Sequence, residues 1–274
     1  MFLRIFVFFS VYLTFYISGK SQFSNQDVKE KFNYEIIQVE EFIERFNFDN
    51  NTKLLQYLNS NNPDLMLERK VFMTSLFDQY GNQFDNKQYL VNGFIDFVCN
   101  ENNPKFLSFY DGNWYAEVEC ILEFQDQQKP ARLTLVSQVD ADSSSKWVIA
   151  GVQSDLLNLP ESKDSLRIMT PVSHGTGFIS LHNIFKDGEN VKNYLQDDFS
   201  PDELTSLALM MYFNTLKLIE VSEITYHFLQ IPHYVFTLEY INRKELNSGW
   251  LITNLFYMNQ NEKKEYKKDK LNIN

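Results

Sequence analysis

The sequence predicts an α+β protein of two tandem units, each a set of helices packed on a curved antiparallel sheet, and three observations carry that expectation. Residues 114–152 hold three runs of alternating hydrophobicity, WYAEVECILEF, ARLTLVSQV and KWVIAGV, separated only by turns. A comparable set returns near the C-terminus as LIEVSEITYHFLQI, HYVFTLEYI and GWLITNLFYM. Each set is preceded by segments of helical period. The expected divisions are a leader at 1–21, an N-terminal unit at 22–155, a connection at 156–176, a C-terminal unit at 177–260 and a charged tail at 261–274.

The leader carries Arg4, an apolar run over 5–17, and Gly19 and Ser21 at the spacing a signal peptidase prefers. Cleavage before Gln22 and export to the periplasm or the extracellular space are therefore expected. The run is shorter than the roughly 20 residues a spanning helix needs, so the mature chain is not expected to cross a membrane. Next, Ile36, Val39, Ile43 and Phe46 recur at helical spacing, with Glu40, Glu41 and Glu44 opposite. A second helix is expected from the Asn62-Pro63-Asp64 start signal to Tyr80, stopped by Gly81.

From there the period reads as two, and VNGFIDFVC is taken as the first strand ahead of the three runs already named. In WYAEVECILEF, Trp114, Ala116, Val118, Cys120, Leu122 and Phe124 share one face; Tyr115, Glu117, Glu119 and Glu123 share the other, wet face opposite Arg132. The connection is given a strand through 166–169. The second unit opens with one or two helices after Gly177 and a capping box at Ser200-Pro201-Asp202-Glu203. That box leads into DELTSLALMMYFNTL, apolar nearly all round and so expected to be buried on most sides. The lysines of the tail, Lys263, Lys264, Lys267, Lys268 and Lys270, read as a solvated, frayed end.

The formal net charge is −11, and removing the leader takes away Arg4 and Lys20 but no acid. So acidic a chain repels phosphate backbones, which argues against nucleic acid as a partner. Aromatic residues make up 16% of the chain, enough for sizeable cores. Cys99 and Cys120 are the two cysteines, expected to be buried thiols rather than a bridge. No pair among His174, His182, His227 and His233 has metal-ligand spacing, so neither a metal nor another cofactor is expected. His174-Gly175-Thr176-Gly177 lacks the spacing and lysine of a phosphate loop.

Helices followed by long antiparallel strands, as in residues 33–152, resemble the cone-shaped domain of the NTF2-like superfamily. Residues 177–258 follow the pattern with one strand fewer. The resemblance implies a sheet wrapped around a helix with a pocket at its wide end. It also implies isomerases, dehydratases or plain binding modules as possible functions.

Two residues are candidates for catalysis in such a cone. Asp96, with Phe94 and Val98 on its face, stands where apolar surroundings would raise a carboxylate pKa. His227 shares a face with Glu223 and Thr225, and the next strand offers His233, Glu239 and Arg243. Tyr115, Glu223, His233 and Glu239 are the candidates for lining a pocket. No complete catalytic set is assembled. The reading is an exported, non-catalytic protein that binds a partner protein or an apolar small molecule, with an acid–base isomerase, dehydratase or hydrolase as the alternative.

Overall fold

The structure is a computed structural model describing residues 35–36, 38–49, 69–81, 87–139, 145–158, 201–243 and 248–273, with isolated positions between 192 and 199. The leader, the Asn62-Pro63-Asp64 start, the strand at 166–169 and the helices after Gly177 lie outside the described residues, as do His174 and His182.

In chain order the elements are β1 (Glu35–Ile36), α1 (Val39–Asn47), α2 (Arg69–Thr74), α3 (Gln88–Val98), β2 (Trp114–Phe124), β3 (Gln127–Val139) and β4 (Ser145–Gln153). After a 3-10 turn at Asp155–Leu157 come α4 (Glu203–Tyr212), β5 (Leu216–Phe228), β6 (Tyr234–Ile241), β7 (Ser248–Tyr257) and α5 (Gln260–Asp269). The α+β expectation holds. The tandem units do not: all seven strands form one sheet in the order β1-β7-β6-β5-β2-β3-β4. Six are antiparallel neighbours, and the short β1 runs parallel to β7. The halves meet where β5 pairs with β2 along Trp114↔Phe228 to Phe124↔Leu216, so the second set of strands extends the first.

One face of this sheet carries an aromatic ladder. Trp114, Phe228 and Phe236, on β2, β5 and β6, stack at 5.3 and 5.1 Å between ring centroids. All three are fully buried beneath Phe42 and Phe46 of α1 and Phe94 of α3. Each such ring contributes on the order of 2–3 kcal/mol of burial. Helix α1 ends on Phe48 in the left-handed region, whose amide donates to the Arg45 carbonyl.

Three local expectations are corrected. The segment expected as a strand at 91–99 is the helix α3: its buried residues, Val91, Phe94, Ile95 and Val98, follow a helical stripe that covers the ladder. A short apolar run fits both periods, and packing against the sheet decides between them. Helix α4 is capped by Asp202, which accepts from the Thr205 amide, and buries only Leu207. Leu209, Met211, Tyr212 and Phe213 are exposed, because α4 meets the sheet along one narrow stripe with Cys120, Leu122 and Val152. The tail at 261–274 is not frayed. Residues Gln260–Asp269 form a helix laid on the opposite face of the sheet, where Leu271 is fully buried against Tyr115 and Val235. Both cysteines are buried free thiols, as expected.

Candidate functional site

The site lies on the face away from the aromatic ladder, between the sheet and α5. Register assembles it: Glu117 faces Thr225, which faces Glu239, while His227 faces Thr237, which faces Asn254. Six polar side chains from four adjacent strands thus share one side of the pleat. Helix α5 supplies the roof through Tyr266 and Lys270, one turn apart. A capping box fixes its start, with Asn259 accepting from the Glu262 amide and Glu262 accepting from the Asn259 amide. Lys263 anchors it: the amine, almost fully buried, donates to the carbonyls of Leu229 at 2.7 Å and Ile231 at 2.6 Å. Burial, and then Lys267, push that amine down to about 8.

The cleft beneath α5 has a volume of about 320 Å3, opens to solvent, and is lined by Glu117, Thr225, His227, Thr237, Glu239, Asn254, Phe256, Tyr266 and Lys270. Glu117 is 5% exposed and His227 1%. One carboxylate oxygen of Glu117, Oε1, meets Lys270 Nζ at 3.0 Å and Arg132 Nε at 3.6 Å. The other, Oε2, lies 3.9 Å from His227 Nε2. Both of those atoms are buried with no hydrogen-bond partner among the described residues. A buried unpaired carboxylate oxygen or ring N–H costs about 1–3 kcal/mol, so something that completes it is favoured.

The tautomer follows from Tyr266, whose hydroxyl is 2.8 Å from His227 Nδ1. Burial, and then the Glu117 charge, hold that phenol above its ordinary range, so it stays protonated. It has no other acceptor in reach among the described residues, so it donates to Nδ1 and leaves the ring proton on Nε2. The pair therefore sets one donor beside one acceptor, both closed off from solvent. Burial, then Lys270, then Arg132 push His227 down to about 3. His227 is neutral at physiological pH.

A pH dependence follows. Between pH 6.5 and the lowered folded value, the unfolded chain binds a proton at His227 that the folded chain does not, so stability falls as pH falls. Glu123, held low by hydrogen bonds from Gln128 and Lys217, and Asp202, held low by Thr205, add a loss of the same sign as their unfolded forms protonate toward the acid end of this range, and comparison with a variant lacking the imidazole separates the two. Urea denaturation at pH 6.5 and 4.5 is expected to show a loss of about 2 kcal/mol through His227. A His227→Asn variant will lack that share; equal slopes in the two proteins would refute it.

The sequence-derived candidates separate in space. His227 and Glu239 come together in the cavity. Asp96 does not: on α3 instead of a strand, it is 68% exposed and bonds Lys70 at 2.7 Å. Tyr115 is buried beneath α5, with the Lys267 amine 5.4 Å over its ring, and does not line the cavity. Glu223 lies in a separate depression with Val221, Tyr240 and Trp250, because β5 leaves β6 beyond Thr225↔Glu239 and bulges twice along β2. His233 is exposed in the turn before β6, at a φ of 64°, between Phe97 and Tyr257. Arg243 pairs with Asp78 at 2.7 Å.

Sequence reasoning left out Glu117, Tyr266 and Lys270. Alternation had put Glu117 on a wet face; α5 makes that face an interior. Among the described residues, no three His, Cys, Asp or Glu side chains gather as metal ligands do, and no helix is long and apolar enough to cross a membrane. No protein-family model, curated protein or solved structure matches this chain.

Proposed function

We propose that the chain is an exported, non-catalytic binding protein that takes a small polar molecule in the cavity beneath α5. The observation that carries this is the polar lining of one space of about 320 Å3, in which the Glu239 carboxylate has no cationic partner among the described residues. That volume is at the small end of ligand pockets, which begin at about 300 Å3. The polar lining redirects the expectation of an apolar ligand. A non-catalytic role is favoured because an imidazole held near 3 takes up no substrate proton near neutral pH, where general bases work. The leader at 1–21 supports export, and N-terminal sequencing of the secreted product should begin at Gln22. Helices followed by antiparallel strands, gathered into one sheet with a helix layer on the ladder face, support kinship with NTF2-like cones.

The test is thermal denaturation of the full mature chain against polar, charged and apolar small molecules. A ligand at 100 times its Kd adds about 2.7 kcal/mol, which is worth roughly 5–10 °C in a chain of this size. That rise should disappear in His227→Phe, whose ring fills the donor's place. No rise with any class of compound would end the proposal.

A further inference from the structure

We infer that the end of α4 and the open edge of β5 make one docking surface, and that what occupies it is a second copy of this chain on a two-fold axis. Helix α4 has no charged residue after Glu203 and is apolar on the side opposite its buried Leu207, where Leu209 and Tyr212 stand 54% and 78% exposed. Met211 and Phe213 are exposed beside them. A helix that is apolar all round belongs in an interior, so packing within one chain leaves the second side of α4 unmet. The surface continues into β5. Asn214, at a φ of 54°, turns the chain, and Thr215 fastens the turn by donating its amide and its hydroxyl to the Met210 carbonyl. Leu218 then faces Leu122, and Val221 faces Cys120, which places both on the side of the sheet that carries α4. They and Ile219 are about half exposed. The backbone is open as well: β2 lines β5 throughout, but β6 pairs with it only from Thr225 to Phe228, so among the described residues no strand lies on that side of 216–224.

Area and charge select the occupant. Together these side chains leave on the order of 800 Å2 uncovered, which is more than a typical monomer shows in one patch and matches what one partner gives to a stable pair. Residues 207–221 carry one base, Lys217, and one acid, Glu220, in a chain of net charge −11. A strongly basic or acidic partner finds no counter-charge here, and two copies meet without the repulsion that the rest of their surfaces would bring. A membrane surface is served no better, because α4 has no Lys or Arg to hold it among head groups. A copy, by contrast, supplies an equal apolar face and an equal unpaired edge. A two-fold axis across β5 sets the two edges antiparallel, so each strand meets the other's free amides and carbonyls. This surface lies across the sheet from the cleft beneath α5, and neither reading depends on the other.

The test is sedimentation of the full mature chain over about 0.1 to 100 μM, where a dimer half-formed at about 1 μM or below is expected. Tyr212→Lys and Leu209→Lys, both at exposed positions, should each weaken it by about thirtyfold or more while the circular dichroism of the monomer stays unchanged. Tyr89→Lys, which changes an almost fully exposed ring on α3, should leave the dimer as it was. Amide exchange in 216–224 should slow as the concentration rises through the dimer range. A chain that stays monomeric at the highest concentration overturns the proposal, as does a dimer that survives both α4 substitutions or an assembly that keeps growing with concentration. So does binding of a monomeric chain to phosphatidylcholine vesicles that Tyr212→Lys abolishes, which would give the patch to a lipid surface.

Discussion

Deleting residues 260–274 is expected to cost about 5 kcal/mol or more, a large share of the 5–15 kcal/mol that holds a typical domain together. The removed segment covers Tyr115, Val235 and Phe256 and brings Leu271, fully buried, into the same cluster. Its loss also leaves the carbonyls of Leu229 and Ile231 without the Lys263 amine, and Thr134 without the Leu271 carbonyl it donates to at 2.7 Å. Glu117 loses Lys270, one of its two cationic partners, and His227 loses Tyr266. Thermal denaturation should show the midpoint falling by 10 °C or more, with new binding of a hydrophobic dye to the uncovered sheet. A frayed, solvated tail predicts a change of under about 2 °C. The single variant Lys263→Met separates anchoring from bulk, since it keeps the stem and removes only the two charge-assisted bonds; it should cost roughly 2–3 kcal/mol.

Gly249→Ala is expected to be the most damaging small substitution in the sheet. Gly249, the second residue of β7, sits at a φ of 91°, where an L side chain is strained by about 1–2 kcal/mol. A Cβ there would also fall 2.2 Å from the Ile36 carbonyl oxygen and 2.4 Å from its nitrogen. Those are backbone atoms of β1, paired with β7 at Ile36↔Gly249, and they have no rotamer by which to move aside. The substitution therefore separates β1 from the sheet and withdraws Ile36, 1% exposed, from the main core. The expected loss is about 3–4 kcal/mol, or roughly 10 °C in the midpoint, with amide exchange accelerated at β1. A variant within about 1 kcal/mol of the parent would show that β1 does not lie against Gly249.

The strands and one helix were legible because their period is local. Residues 114–124 alternate cleanly, and β3 to β7 fall on runs read directly from the chain; the Val39, Ile43 and Phe46 stripe is the buried side of α1. Ile36, expected in that stripe, lies instead in β1. The misread helix, α3, carries Val91, Ile95 and Cys99 at positions that satisfy both periods, and no local signal separates them. In α5 the Asn259 and Glu262 capping box was present in the sequence. The density of lysines outweighed it, because hydropathy has no way to register that two carbonyls beyond β5 wait for the Lys263 amine.

Of the site, His227 and Glu239 were legible from shared-face alternation, whereas Glu117 was assigned to solvent. Alternation says which residues share a side of a strand; it says nothing of what lies over that side. The sequence by itself determined the α+β class, the strand segments and the polar character of one sheet face, since each is written in neighbours one to four residues apart. Only the tertiary structure decided that β5 pairs with β2 and that α5 roofs the polar face. Both depend on contacts far apart in the chain, such as Lys270 on Glu117, and the gain from burying the second face exists only once both are in place.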